Sequence, residues 1–290
     1  MKLLAVGVAT LDIISQVTAY PVEDAEVRAL EQRLARGGNA TNTLVVLSQL
    51  GHRCSWAGTL AEGADAEPIL QDLARYRIDT SACRRLPGTS PISCVLLSRA
   101  SGSRTIVHHR KLPEYTAEDF ARIQLGRYDW VHFEGRNVPE TLEMLRRLRD
   151  QHPQCPVSLE LEKPRAGIER LIPYVDLLLS GRAYARAKGH GDGPALLHAL
   201  RDQNPRALLF AAWGEQGGWV QAPGEVPQHR PARPPARLVD SLGAGDVFNA
   251  AVIHGISQGD SPDAVLGQAV ALAGRKCGQQ GLAGLVSVHG

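Results

Sequence analysis

The chain has 290 residues, 43% of them hydrophobic, and its 32 Lys plus Arg nearly balance 30 Asp plus Glu, for a formal charge of +2 at pH 7. That length supports one large buried core, and so small a net charge excludes the strong field that would point to nucleic acid or an anionic membrane surface. The partner expected is a small molecule, with no nucleic acid and no membrane.

No run of about 18 apolar residues occurs, and the opening MKLLAVGVATLDII reaches Asp12 too early, and lacks the small-residue cleavage site, for a signal peptide. It reads as a buried first strand, Leu3–Gly7. The five cysteines, Cys54, Cys83, Cys94, Cys155 and Cys277, are odd in number and show no C-x-x-C spacing, which argues against a disulfide framework or a zinc site. A reducing cytoplasm is the expected location.

Next in the chain, Ile13–Arg36 mixes strand-forming residues with charges and has no helical pattern; Tyr20-Pro21 marks a bend within it. Arg36-Gly37-Gly38-Asn39-Ala40-Thr41-Asn42 then leads into a helical run, Leu44–Leu50, closed by Gly51. A second irregular stretch, Ile92–Arg110, holds Ser101-Gly102-Ser103 between two strand-like runs, the pattern of a hairpin turn. The two stretches are expected to pair into a small separate sheet. Adjacent His108 and His109 fall on its last strand and face opposite sides, so one exposed and one half-buried histidine is expected rather than a metal pair. Apolar runs Trp130–Phe133, Val157–Leu161, Asp176–Leu179 and Ala207–Ala212 alternate with helical segments such as Pro139–Leu148 and Gly193–Leu200. This alternation predicts crossover connections and a parallel sheet covered on both faces, an α/β core. The proline-rich stretch Pro223–Pro235 reads as an extended surface connection.

Val239-Asp240-Ser241-Leu242-Gly243-Ala244-Gly245-Asp246 precedes an amphipathic helical pattern. Small residues let backbone amides approach a ligand closely, and a helix start directs partial positive charge to the same place, so this corner suits an anion. Asp246, in the first turn, is placed to be held ionised there and to accept a proton from a hydroxyl beside a bound phosphate. Read alone, such a residue is more often a plain helix-start cap than a base. Asn39 and Asn42, three apart on a first helical turn, can present amides to one polyhydroxylated ligand, although Asn39 also reads as an N-cap.

Together the two clusters resemble the ribokinase-like carbohydrate kinases of the phosphofructokinase B type. In that family a Gly-Gly-x-x-x-Asn segment lies on the sugar side and D-T-x-G-A-G-D opens the catalytic helix; here the second motif stands as D-S-L-G-A-G-D at 240–246. Segments 37–42, 101–106, 132–137, 160–165 and 276–278 are further similar to the ketohexokinase branch of the family. The resemblance implies a three-layer α/β/α core with a mainly parallel sheet, formed by residues 1–11, 37–90 and 111–290, and a small β lid formed by 12–36 and 91–110.

It also implies roles. Asp246 would be the general base, and Gly243, Ala244 and Gly245 would hold the charge on the transferring phosphoryl group. Asp12, Gly38, Asn39 and Asn42 would bind sugar hydroxyls, with Asp12 following the first strand. Arg104, Gly214, Gly217 and Cys277 would border ATP; Cys277 also reads as a small buried hydrophobe. The family's N-x-x-E magnesium motif has no counterpart in Leu179-Ser180-Gly181-Arg182-Ala183. Magnesium would arrive with ATP, with Glu134 or Glu162 ordering its water, and potassium would sit near Asp240. The function implied is phosphorylation of a ketohexose, fructose to fructose 1-phosphate, by a homodimer clasped through the lid. Another sugar, a sugar acid or a nucleoside is the alternative acceptor, the last disfavoured by 5% aromatic content; a silent sugar or nucleotide sensor is a further one, disfavoured by Asp246.

Overall fold

The structure, a computed structural model, describes residues 1–286. Strand β1 (Lys2–Val6) is buried on both sides, as a central parallel strand must be. The chain then leaves the core for β2 (Thr10–Val17) and β3 (Glu31–Gly37), and returns through helix α1 (Asn39–Gln49) to β4 (Arg53–Ala57), parallel to β1. Short strand β5 (Thr59–Ala61), helix α2 (Glu67–Arg75) and β6 (Arg84–Leu86) lead to β7 (Ile92–Ser98) and β8 (Arg104–His109). The remainder runs α3 (Ala117–Phe120), β9 (Trp130–Glu134), α4 (Val138–Gln151), β10 (Val157–Leu161), β11 (Leu177–Gly181), α5 (Arg182–Ala187), α6 (Gly193–Gln203) and β12 (Leu208–Ala212). It finishes with β13 (Gly218–Gln221), β14 (Gln228–Arg230), α7 (Ala244–Gln258) and α8 (Pro262–Cys277).

Eight strands form the large sheet in the order β14-β13-β12-β11-β10-β9-β1-β4, parallel from β4 to β12 and antiparallel at β13 and β14. Alternate residues of one strand serve opposite faces. In β1, Leu3 and Ala5 pack with α1, α2, α7 and α8, whereas Leu4 and Val6 pack with α3, α4, α5 and α6. The result is a three-layer α/β/α core. The second sheet is smaller, in the order β3-β2-β7-β8. Among the described residues no helix is long and apolar enough to cross a membrane.

Two expectations change. The proline-rich connection contains an edge strand, because Gln228–Arg230, between Pro227 and Pro231, keeps the backbone N–H groups that pairing with β13 needs. His108 and His109 are both exposed, since β8 is an edge strand whose six residues all lie open.

The long connection reaches the start of α7 by running along α8. Gly274 of α8 leaves no room for a side chain: an added Cβ would overlap the Arg233 carbonyl oxygen. A mid-helix Gly→Ala change ordinarily stabilises by about 1 kcal/mol. Here the sign should reverse, and Gly274→Ala should cost about 2 kcal/mol through backbone displacement, read from the denaturant midpoint.

Candidate active site

The N-terminal ends of α1 and α7 meet beyond the carboxyl ends of β1, β9 and β10. Asp246, on the first turn of α7 and 6% exposed, accepts a 2.6 Å hydrogen bond from the Asn42 amide of α1. Asn249, one turn further along α7, donates to Glu160 at 2.9 Å, and Asn39 donates to both Glu160 carboxylate oxygens at 3.2 Å. Two buried carboxylates, 160 and 246, are thus held by three amides. Asn39 lies inside the helix, with Gly38 at the cap position, so its side chain is turned to the site rather than to the helix end.

Glu160 is a residue that sequence reasoning passed over. Its signal was a charge inside the apolar run Val157–Leu161, in a strand buried along its whole length. Arg36 was quoted only as the flank of a motif. It donates from Nε to Asp72 at 2.8 Å and from its NH1 to the Asn42 carbonyl oxygen at 2.7 Å and the Thr41 hydroxyl at 3.0 Å. Because Arg36 occupies the oxygen of the Asn42 amide, the nitrogen is left to face Asp246.

Burial pushes both carboxyls well above the usual range. The charges of Glu162 and Glu134 add to this at both, that of Asp246 adds further at Glu160, and the amides of Asn42 and Asn39 oppose it. In the unliganded chain the donors expected to favour an ionised Asp246 are opposed by desolvation and neighbouring negative charge, which raise its pKa.

At the start of α1, Gly38 has φ +105° and an added Cβ would overlap the Val8 carbonyl oxygen, while one on Gly37 would overlap the Asp12 carboxylate. These glycines let the start of α1 close against the lid. Asp12 lies within β2 rather than in a loop after β1; it is 8% exposed and accepts from the Thr10 hydroxyl at 2.6 Å. Burial raises its pKa, against the donors Thr10 and Ser93.

At the glycine corner, Gly243 caps α7 with φ +82°, the left-handed region, and the Ala244 amide turns back to the Ser241 carbonyl at 3.3 Å. Arg104 of β8 reaches from the lid to the Ser241 hydroxyl at 3.0 Å, and Arg33 of β3 lies 3.5 Å from Asp240. Behind them Lys276, wholly buried, donates at 2.7 Å to the Asp240 carbonyl and stands 3.3 Å from its carboxylate. The same carboxylate accepts from the Leu242 and Gly281 amides. Potassium at Asp240 does not fit this arrangement, because its oxygens are already taken by an ammonium, a guanidinium and two N–H groups.

Among the proposed nucleotide neighbours, Gly217 has φ +91° and abuts the backbone at 230–232, and Cys277 accepts the Val239 amide. Both therefore lie along the connection that leads to Asp240. Gly214, φ +64°, neighbours the Arg182 guanidinium, which pairs with Glu215. For magnesium, Glu134 is committed, accepting from the Val8 amide at 2.9 Å and from Arg136 at 2.8 Å. Glu162 is 45% exposed at its side chain, and its charge bears on Asp246. No cluster of three metal-ligating side chains occurs among the described residues. The donor set suits a magnesium ion held mainly by nucleotide phosphates, with Glu162 the accessible carboxylate.

The family model for pfkB family carbohydrate kinases matches residues 1–287. The chain belongs to that family. As a member it is an ATP-dependent carbohydrate kinase. It is 39% identical to mouse ketohexokinase over 98% of this chain and 99% of the relative. A fructosamine kinase of Bacillus subtilis is 27% identical over 98% and 93%. Among solved structures, Arabidopsis thaliana ribokinase complexed with ribose and ATP superposes with a TM-score of 0.79 at 21% identity, covering 98% of this chain and 95% of that one.

The buried carboxyls hold protons to higher pH in the folded chain than in the unfolded one. Stability therefore falls as pH rises from the ordinary carboxylate range towards the raised values. Asp246→Asn, which removes one charge, should stabilise the chain by about 1 kcal/mol or more at neutral pH, and the gain should vanish as pH falls below the ordinary carboxylate range. Thermal midpoints of the two proteins across pH check this.

Proposed function

We propose that the chain transfers the γ-phosphate of ATP to a hydroxyl of a ketohexose, with fructose to fructose 1-phosphate as the specific reaction. The observation that carries the chemistry is the Asp246 carboxylate at the glycine start of α7, fixed by Asn42. Full-length similarity to mouse ketohexokinase supports the acceptor.

In this reading Asp12, Gly38, Asn39 and Asn42 hold sugar hydroxyls against the lid. Binding draws the acceptor hydroxyl to Asp246, whose carboxylate takes its proton as the oxygen attacks the γ-phosphorus. The bond from that phosphorus to the bridging oxygen breaks, and ADP leaves with the electron pair. Amides of Gly243, Ala244 and Gly245 and the guanidinium of Arg104 face the charge on the transferring group. Gly214, Gly217 and Cys277 border the nucleotide. Magnesium bound to the phosphates would neutralise part of their charge, with Glu162 beside its water shell. A cationic phosphate end also favours the ionised Asp246, offsetting the effect of burial at the moment a base is needed.

Dimerisation through the lid is part of the proposal. Leu34, Ile13, Cys94 and Val107 lie in one register row across its outer face, with Leu34 60% and Val107 67% exposed. Five unpaired cysteines fit a reducing cytoplasm.

ADP release over a panel of ketoses, aldoses, sugar acids, fructosamines and nucleosides tests the acceptor; fructose should give the highest kcat/KM, and a preference for another class would replace it. Asp246→Asn should lower kcat by at least about a hundredfold with ATP binding retained. Native turnover in that variant would remove Asp246 from the mechanism.

A further inference from the structure

The lid carries one line of residues whose partners are fixed by strand pairing: Ala35, Asp12, Ser93 and His108 stand opposite one another across β3, β2, β7 and β8. Directly opposite residues share a face of a sheet. That face looks toward the core. Arg33, two residues before Ala35, and Arg104, four before His108, reach Asp240 and Ser241, and Asp12 covers Gly37. The face thus has a phosphate end marked by two arginines and a sugar end marked by Asp12, and His108 sits at the sugar end.

The hydrogen bonds there set the direction of each donor. The Ser93 hydroxyl has one proton and stands directly across from the Asp12 carboxylate, an acceptor that draws that proton and whose pKa Ser93 lowers. Its oxygen is then left to accept from His108 Nδ1, 3.2 Å away. The ring's Nε2, which has no partner among the described residues, is an acceptor open to the site. The charged groups around the ring are Asp12 on β2, Arg110 at the end of its own strand, Arg136 after β9 and Lys163 after β10. Partial desolvation on its inward side and the three cations lower the pKa of the imidazole, opposed by Asp12.

We propose that His108 is a sugar-contacting residue of the lid, whose Nε2 accepts a proton from an acceptor hydroxyl that Asp12 binds on the other side. The relay from His108 through Ser93 to Asp12 ties two contacts to one sugar face, so the lid reads the orientation of neighbouring hydroxyls. This inference rests on the sugar-kinase reading and extends it to a residue that recognises the acceptor.

The test is steady-state kinetics with the panel sugar the native enzyme uses best. His108→Phe should raise the sugar KM about tenfold, the loss of one hydrogen bond to a bound hydroxyl, with the ATP KM within about twofold of native. His108→Gln, which keeps an acceptor, should recover part of the loss. His109→Ala, on the opposite face, should leave both constants unchanged. The native sugar KM should also rise as pH falls below the ordinary histidine range, and that dependence should disappear in His108→Phe. An unchanged sugar KM in His108→Phe, or equal rises in both KM values, would overturn the inference. Native protein that phosphorylates no sugar would overturn the kinase reading with it, whereas a null result at His108 in an active enzyme overturns this inference alone.

Discussion

The site depends on two helices beginning at one point. Each presents amide side chains from its first turns to a carboxylate: Asn42 of α1 to Asp246 of α7, and Asn39 of α1 with Asn249 of α7 to Glu160 of β10. A buried carboxylate is costly unless its oxygens are occupied. These amides provide that without neutralising the charge, as an arginine would. The arrangement holds Asp246 in the first turn of α7, where the proposed reading needs a base beside an anion-favouring helix start. Arg36 stands one step back and orients Asn42 rather than pairing with Asp246.

The lid extends the same logic outward. Its inner face meets the core at two places with different chemistry, guanidinium groups over the D-S-L-G-A-G-D corner and Asp12 with Ser93 over the glycine pair. In the proposed reading, one four-stranded sheet spanning both ends would give sugar and nucleotide a shared cover. Lys276 and the Gly281 amide hold Asp240 from the far side, so the corner that the lid arginines touch is fixed from behind.

Legibility in the sequence followed burial. Strands β1, β9, β10, β11 and β12 stood out because both faces are covered and apolar residues predominate in them. The short edge strand β14 did not, since three residues among prolines carry no pattern. The glycine corner and Asp246 were readable because their chemistry is local in the chain. Asp12 was noticed but assigned to the end of a strand, because the sharp exit from β1 at Gly7 leaves no gap in the apolar run that continues into β2. Glu160, Arg36 and Lys276 depend on contacts between distant segments: residues 160 and 249 meet across two layers, and 276 and 240 across a long connection. No periodicity encodes such pairs.

The margins of the large sheet are closed in two different ways. At one margin the segment around Asp79 lies along β4, exchanging backbone hydrogen bonds with Cys54 and Trp56. At the other, β14 is three residues long and bracketed by Pro227 and Pro231, which lack the N–H that a further strand would need. The core therefore offers no template for strand addition, and crowded solutions of the protein should resist fibre-like stacking through it. Among the described residues the outer strands of the small sheet, β3 and β8, have no such guard, which concentrates any sticking between copies on the sheet proposed to cover the sugar.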